Sequence, residues 1–291
     1  MGRIRTQIPV DGAALAADVI GSGRPILVLH GGPDFDDEYL LPDLDRLADL
    51  GMLVSYAQRG RGRSYAGDGA ADVSLPSEMA DVDAVRRWTG HERVAVLGHS
   101  FGSLLALEYA ARHPDRVSHL VLVNPAPASH ADLGVLRSHL ARIRTPEEQE
   151  RMAALRADPG YAAGDPTIDR ELHALHFRPA FADPAKRDVI LGRLRRSFSA
   201  DAIVAARAIE SRLYEDTWLQ PTYDLLPRLA DLRIPSLVIG GDHDFIPPEI
   251  AERIAAALPD AHLVALAQCG HFALLEQPEA VHRAAAELLA R

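Results

Sequence analysis

One serine, Ser100, stands between two glycines in Gly98-His99-Ser100-Phe101-Gly102, directly after the apolar run Val94-Ala95-Val96-Leu97 and before a helix-forming stretch that stops at His113-Pro114. A serine hydroxyl is a poor nucleophile at neutral pH. It attacks a carbonyl only where a base can take its proton and where N–H groups face the oxyanion that forms. A strand turning sharply into a helix meets both needs, and glycines two residues before and after the serine leave space for close backbone approach. The chemistry indicated is acyl transfer, which requires a histidine base and an orienting acid. After the apolar run 234–240 comes Gly241-Asp242-His243-Asp244, and after 262–266 comes Gln268-Cys269-Gly270-His271. His271 is the expected base. Asp244 is the preferred acid, with Asp242, which could instead bond the turn backbone, as the alternative. The oxyanion donors expected are the N–H of Phe101 and that of Gly32, which lies in His30-Gly31-Gly32-Pro33 after the apolar run 25–29.

The elements that must hold these residues follow from periodicity. Residues 4–20 read as one or two early strands around Val10-Asp11-Gly12. Runs 25–29, 52–57, 93–97, 118–123, 234–240 and 262–266 read as strands. Helices are expected over 40–50, 75–88, 101–112, 248–258 and 278–290. Strand and helix in alternation, with several strands apolar throughout, imply an α/β fold with a mostly parallel central sheet flanked by helices. From Asn124-Pro125 onward the alternation stops. Residues 126–231 are rich in Ala, Leu and Arg, are broken by Pro146, Pro159, Pro166, Pro179 and Pro184, and show no strand pattern. The expected organisation is a core of residues 1–125 and 232–291 with a helical lid inserted at 126–231.

With 291 residues the chain is long enough for one large domain or a core with an inserted lid, and its formal charge of −10, with no basic stripe in the sequence, argues against a nucleic-acid surface. The cluster Arg193-Leu194-Arg195-Arg196 is expected to be a solvated helix face. A single cysteine, Cys269, rules out an internal disulfide and suits a reducing compartment. The opening residues lack the apolar run of a signal peptide and no later run is long enough to span a bilayer, so a cytoplasmic location without membrane or nucleic-acid partners is expected. Asp242, His243 and Asp244 are the one grouping with metal-ligand types. No second cluster of ligands with metal spacing accompanies them, and neither metal nor cofactor is expected.

On these residues the chain resembles an α/β-hydrolase, and within that fold it is most similar to the proline iminopeptidase group. Leu29-His30-Gly31-Gly32-Pro33 resembles the group's HGGPG loop, and Gln58-Arg59-Gly60-Arg61-Gly62-Arg63-Ser64 its DQRGxGRS segment. Two positions depart from the pattern: Asp34 replaces the last glycine of the first motif, and Ala57 the aspartate of the second. The resemblance spans about residues 20–125 and 232–291. It implies a triad of Ser100, Asp244 and His271 and oxyanion roles for Gly32 and Phe101. The reaction implied is hydrolysis of a small amide or ester, most specifically removal of an N-terminal proline from a short peptide, with a carboxylesterase or lactonase as the alternative. A non-catalytic binding protein is disfavoured by the complete Ser, Asp and His set. The group carries lid glutamates for the substrate's α-amino group, and Glu210, with Glu215 beside it, lies in a loosely similar segment. The competing reading pairs both with Arg207 and Arg212 on a solvated helix face.

Overall fold

The computed structural model describes residues 2–65 and 73–291. Its strands are β1 (Ile4–Val10), β2 (Ala13–Ile20), β3 (Pro25–Leu29), β4 (Met52–Tyr56), β5 (Val94–His99), β6 (Val117–Val123), β7 (Ser236–Gly241) and β8 (Ala261–Leu266). They form one eight-stranded sheet in the order β1-β2-β4-β3-β5-β6-β7-β8. The β1–β2 and β2–β4 pairs are antiparallel and the other five are parallel. Every residue of β3 and β5 is buried, which is why both read as unbroken apolar runs: helices cover both faces of the sheet.

The helices are α1 (Leu75–Trp88), α2 (Phe101–Arg112), α3 (His130–Ile143), α4 (Pro146–Ala157), α5 (Pro159–Ala162), α6 (Pro166–His176), α7 (Pro184–Leu191), α8 (Ala200–Asp216), α9 (Leu226–Leu229), α10 (Pro248–Ala257), α11 (Ala273–Glu276) and α12 (Pro278–Leu289). Their starts are chemically marked. Ser74 opens α1 with a capping box closed by Ser77, and Thr145 opens α4 the same way with Glu148. Helices α3 to α9 all lie in the connection between β6 and β7, which contributes no strand to the sheet. None of the described helices is long and apolar enough to cross a membrane.

Residues 40–50 do not form the expected helix. Two short 3₁₀ turns, Asp37–Leu40 and Asp43–Leu47, stand there instead, separated by an extended Leu41. Pro42 has no N–H to continue a helical ladder, and Asp36 caps the first turn by accepting from the Glu38 N–H.

Register lines up the carboxyl ends of the parallel strands. Leu29 pairs with Gly98, His99 with Val123, Val123 with Ile239 and Gly241 with Leu266. The loops that leave these ends carry His30 to Asp34, Ser100, Asn124, Asp244 and His271, so residues from five strands meet along one edge of the sheet. The tightest junction is β5 to α2. Ser100 has φ 54° and ψ −122°, a conformation costing a non-glycine residue on the order of 1–3 kcal/mol. A Cβ on Gly102 would lie 2.0 Å from the Leu29 carbonyl oxygen, so α2 packs on β3 with no room for a side chain.

Gly102→Ala is therefore expected to lower the melting temperature by many degrees, since only backbone could move to relieve the clash. Gly134 in α3 is the control, because a Cβ there meets nothing within 4 Å. Gly134→Ala should leave stability unchanged or raise it by up to about 1 kcal/mol. Equal melting temperatures for the two variants would contradict the packing described.

Candidate active site

Ser100 directly follows β5 and caps α2, where the first N–H groups of the helix point outward. Among the described residues the Phe101 N–H has no acceptor, and neither has that of Gly32. The neighbouring Gly31 N–H differs: it donates to Tyr39 Oη at 2.7 Å. Gly32 has φ 124°, and a Cβ there would fall 2.4 Å from the Asp34 nitrogen, so the loop takes this shape only with glycine. Arg61, fully buried, holds the loop from behind by donating from Nε to the Pro33 carbonyl at 2.8 Å and by pairing with Glu78. His30 accepts from the Gln58 N–H at 3.0 Å through Nε2, and burial with Arg61 nearby drives its pKa down to about 3. The ring is neutral and serves as a fixed acceptor.

His271 and Asp244 are brought together from the ends of β8 and β7. His271 Nδ1 donates to the Asp244 carboxylate at 2.9 and 3.0 Å, which leaves Nε2 as the free acceptor of the ring. Asp244 is held in turn by the Ile246 N–H at 2.9 Å and by Asn124 Nδ2 at 2.8 Å. Asn124, at φ 47° past the end of β6, also donates to the Gly270 carbonyl at 3.0 Å. Asp242 does not reach His271. It is exposed, with its Oδ1 2.7 Å from His243 Nδ1, so Asp242, His243 and Asp244 do not converge on a common point.

A second chain of bonds ties the loops together. Tyr39 Oη, already accepting from Gly31, donates to His99 Nδ1 at 2.7 Å, and His99 Nε2 donates to the His271 carbonyl at 2.8 Å. The directions are consistent only with a neutral His99, and burial does lower its pKa to about 3. Sequence reasoning overlooked Tyr39, His99 and Asn124. The available signals were slight: a histidine directly before the serine, and an Asn-Pro pair directly after an apolar strand.

Ser100, His271 and Gly32 line one cavity of about 180 Å³. Its opposite wall comes from the β6–β7 connection, including Met152, Leu172, Phe177, Glu210 and Tyr214. The two parts are joined by charge. Buried Arg195 donates to the Asp34 carbonyl at 3.0 Å and pairs with the Asp34 carboxylate; its other amino group reaches Asp169 at 2.6 Å, which Arg207 also reaches at 2.6 Å. This corrects the expectation of a solvated helix face at 193–196. Helix α7 ends at Leu191, and each arginine of the cluster meets an acid: Arg193 Asp43, Arg195 Asp34, Arg196 Glu38. The signal for it was Asp34 itself, since a carboxylate in a loop that must be buried needs a cation.

Glu210 faces the cavity and accepts from Tyr214 Oη at 2.9 Å. Glu215 is exposed and does not line the cavity, because it sits on the outer face of α8. The expected pairing of Glu210 and Glu215 with Arg207 and Arg212 is not formed either. Arg207 pairs with Asp169 and stacks 3.6 Å over the Tyr161 ring, while Arg212 pairs with Asp216. Burial, reinforced by the negative charge of Asp34, raises the Glu210 pKa to about 8.

The alpha/beta hydrolase fold family matches residues 24–278. The proline iminopeptidase PfmaB of Pestalotiopsis fici is 26% identical over 284 residues, covering 94% of this chain and 95% of that one, so the likeness runs end to end. A solved proline iminopeptidase-related protein from Thermus thermophilus superposes with a TM-score of 0.74 at 27% identity, over 100% of this chain and 98% of that one. Est816, described as an N-acyl homoserine lactone degrading enzyme, superposes with a TM-score of 0.70 at 20% identity over 96% of this chain and 98% of that one, a likeness of fold alone.

Glu210 gives a pH prediction. Its carboxyl titrates near 4.5 when unfolded and near 8 when folded, so the folded state holds the extra proton between these values and stability falls as pH rises through them. Glu210→Gln imitates the protonated form. Its melting temperature relative to wild type should climb from pH 5 to pH 9. A wild type that gains on the variant over that range would show that Arg195 keeps the carboxylate charged.

Proposed function

The chain belongs to the α/β-hydrolase family and is an enzyme of the hydrolase type, and from this premise we propose a serine hydrolase in which Ser100 is the nucleophile, His271 the base and Asp244 the orienting acid. The observation that carries the reading is the His271–Asp244 pair, whose histidine lines one cavity with a strained serine at a helix start. His271 Nε2 takes the Ser100 proton as Oγ forms its bond to the substrate carbonyl carbon. The carbonyl electrons move to oxygen, where the N–H groups of Gly32 and Phe101 face the charge. Collapse expels the amine or alcohol, which receives the proton from His271 and leaves an acyl-serine. Water then attacks the acyl carbon as His271 accepts its proton, and collapse of this second adduct breaks the bond to Oγ, which takes the proton back from His271 and releases the carboxylic acid. Side chains and backbone supply each step, so the reading calls for no cofactor.

The β6–β7 connection acts as a lid in this account. A cavity of about 180 Å³ admits a small acyl group rather than a long chain. The more specific form of the proposal is an aminopeptidase acting on N-terminal proline, with Glu210 receiving the substrate amine. An unprotonated amine entering beside protonated Glu210 would take its proton and leave a charge-assisted pair. A carboxylesterase or lactonase is the second reading. The raised Glu210 pKa favours it, because a neutral carboxyl offers an already protonated amine no ion pair and leaves the wall uncharged for an uncharged acyl group.

Proline arylamides, other aminoacyl arylamides and short-chain aryl esters compared on one preparation test the assignment. The aminopeptidase form expects turnover of the proline arylamide, with Glu210→Gln lowering the ratio of arylamide to ester kcat/KM by about tenfold or more. Ester turnover with no arylamide turnover transfers the assignment to the esterase or lactonase.

A further inference from the structure

The cations around the cavity are of two kinds. Arg195 and Arg207 are neutralised by Asp34 and Asp169. Arg156, on α4 at the cavity wall, makes no ion pair among the described residues. Arg144, partly buried at the end of α3, is equally without a carboxylate. Among the described residues its only side-chain partner is a neutral ring: one amino group donates to His176 Nδ1 at 3.0 Å, and its buried Nε has no acceptor. Glu148, the acid nearest by charge, is taken by Arg178. Burial and the charges of Arg156 and Arg178 all push the Arg144 pKa below its ordinary value, and His176, which lines the cavity, is held neutral by burial and by Arg144. A partly buried guanidinium without a counter-ion costs the fold free energy, so packing gives no reason for it.

We infer that Arg156, with Arg144 behind His176, forms an anion subsite of the cavity that takes a free carboxylate on the substrate. The inference deepens the hydrolase reading and rests on it for the reaction. The chemical class that follows is a small ester or amide bearing a carboxylate, a short peptide with a free carboxyl end included. Apolar Met152, Leu172, Phe177 and Phe245 line the same cavity as His176 and Ser100 and suit the carbon chain between scissile bond and carboxylate. Arg156 is exposed and partly screened by water, so the effect expected is about tenfold rather than thousandfold.

Two matched pairs of substrates read this out: mono-4-nitrophenyl adipate against 4-nitrophenyl hexanoate for a carboxylate on the acyl side, and 4-acetoxybenzoate against phenyl acetate for one on the leaving group. The subsite predicts that wild type favours the charged member of one pair. Arg156→Gln and Arg144→Gln should each lower that preference about tenfold through KM, and Arg156→Lys should retain most of it. Arg144→Gln should also keep or raise the melting temperature, which loss of a structural arginine would not do. No preference in either pair, or a preference kept in the double variant, overturns the inference. Calorimetric binding of adipate and benzoate to the Ser100→Ala protein separates the two readings. Binding that Arg156→Gln weakens supports the subsite even where no ester turns over, and binding of neither anion rejects it whatever the hydrolytic activity.

Discussion

Backbone contact between the first turn of α2 and the end of β3 is the constraint on which the rest of the site depends. With the Gly102 α-carbon placed so that a Cβ would lie 2.0 Å from the Leu29 carbonyl oxygen, helix and strand are as close as two backbones can pack. Ser100 is consequently forced to φ 54°, clear of the sheet and at the start of a helix. The strain is local and is repaid by the buried strands on either side, β3 and β6, which pair with β5 along its length. A looser junction would let the serine relax into ordinary strand or helix geometry, and its hydroxyl would then no longer stand where the loops from β3, β7 and β8 converge.

Those loops are fixed by directed hydrogen bonds in addition to the packing of Phe245 and Phe272 against the His271 ring. Gly31, Tyr39, His99 and the His271 carbonyl form one directed chain, and Asn124, Asp244 and His271 Nδ1 form another. Both chains end on His271, so its backbone and its ring are oriented independently. Four histidines near the cavity, His30, His99, His173 and His176, have pKa values lowered chiefly by burial, and act as neutral donors or acceptors near neutral pH. The ion-pair chain from Asp34 through Arg195 to Asp169 and Arg207 then fastens the helical connection to the same loop that carries Gly32.

The sheet was legible because burial on both faces leaves a direct trace in β3, β5, β6 and β7, and the meeting of Asp244 with His271 was legible because both follow strand ends. Where the outcome hung on one residue's backbone chemistry, periodicity misled: leucines at 40, 41, 44, 47 and 50 imitate a helix that Pro42 interrupts. Side-chain partners far apart in the chain left no trace either. Arg195 lies 161 residues from Asp34, and a run of arginines read alone suggests solvent. Glu210 and Glu215 show the limit of helical spacing: Glu210 pairs with Tyr214 and Arg212 with Asp216 one turn along α8, while Arg207 reaches Asp169 on α6, so none forms the acid–base pair that spacing suggested.

The mechanism proposed requires Ser100 to form a covalent acyl intermediate with His271 as its base. Treatment with an aryl organophosphonate followed by intact mass measurement and peptide mapping tests it most directly. One phosphonyl adduct per chain, located on Ser100, abolished by Ser100→Ala and strongly slowed by His271→Ala, is the result predicted. An adduct elsewhere, or hydrolytic activity close to wild type in the Ser100→Ala protein, would contradict it.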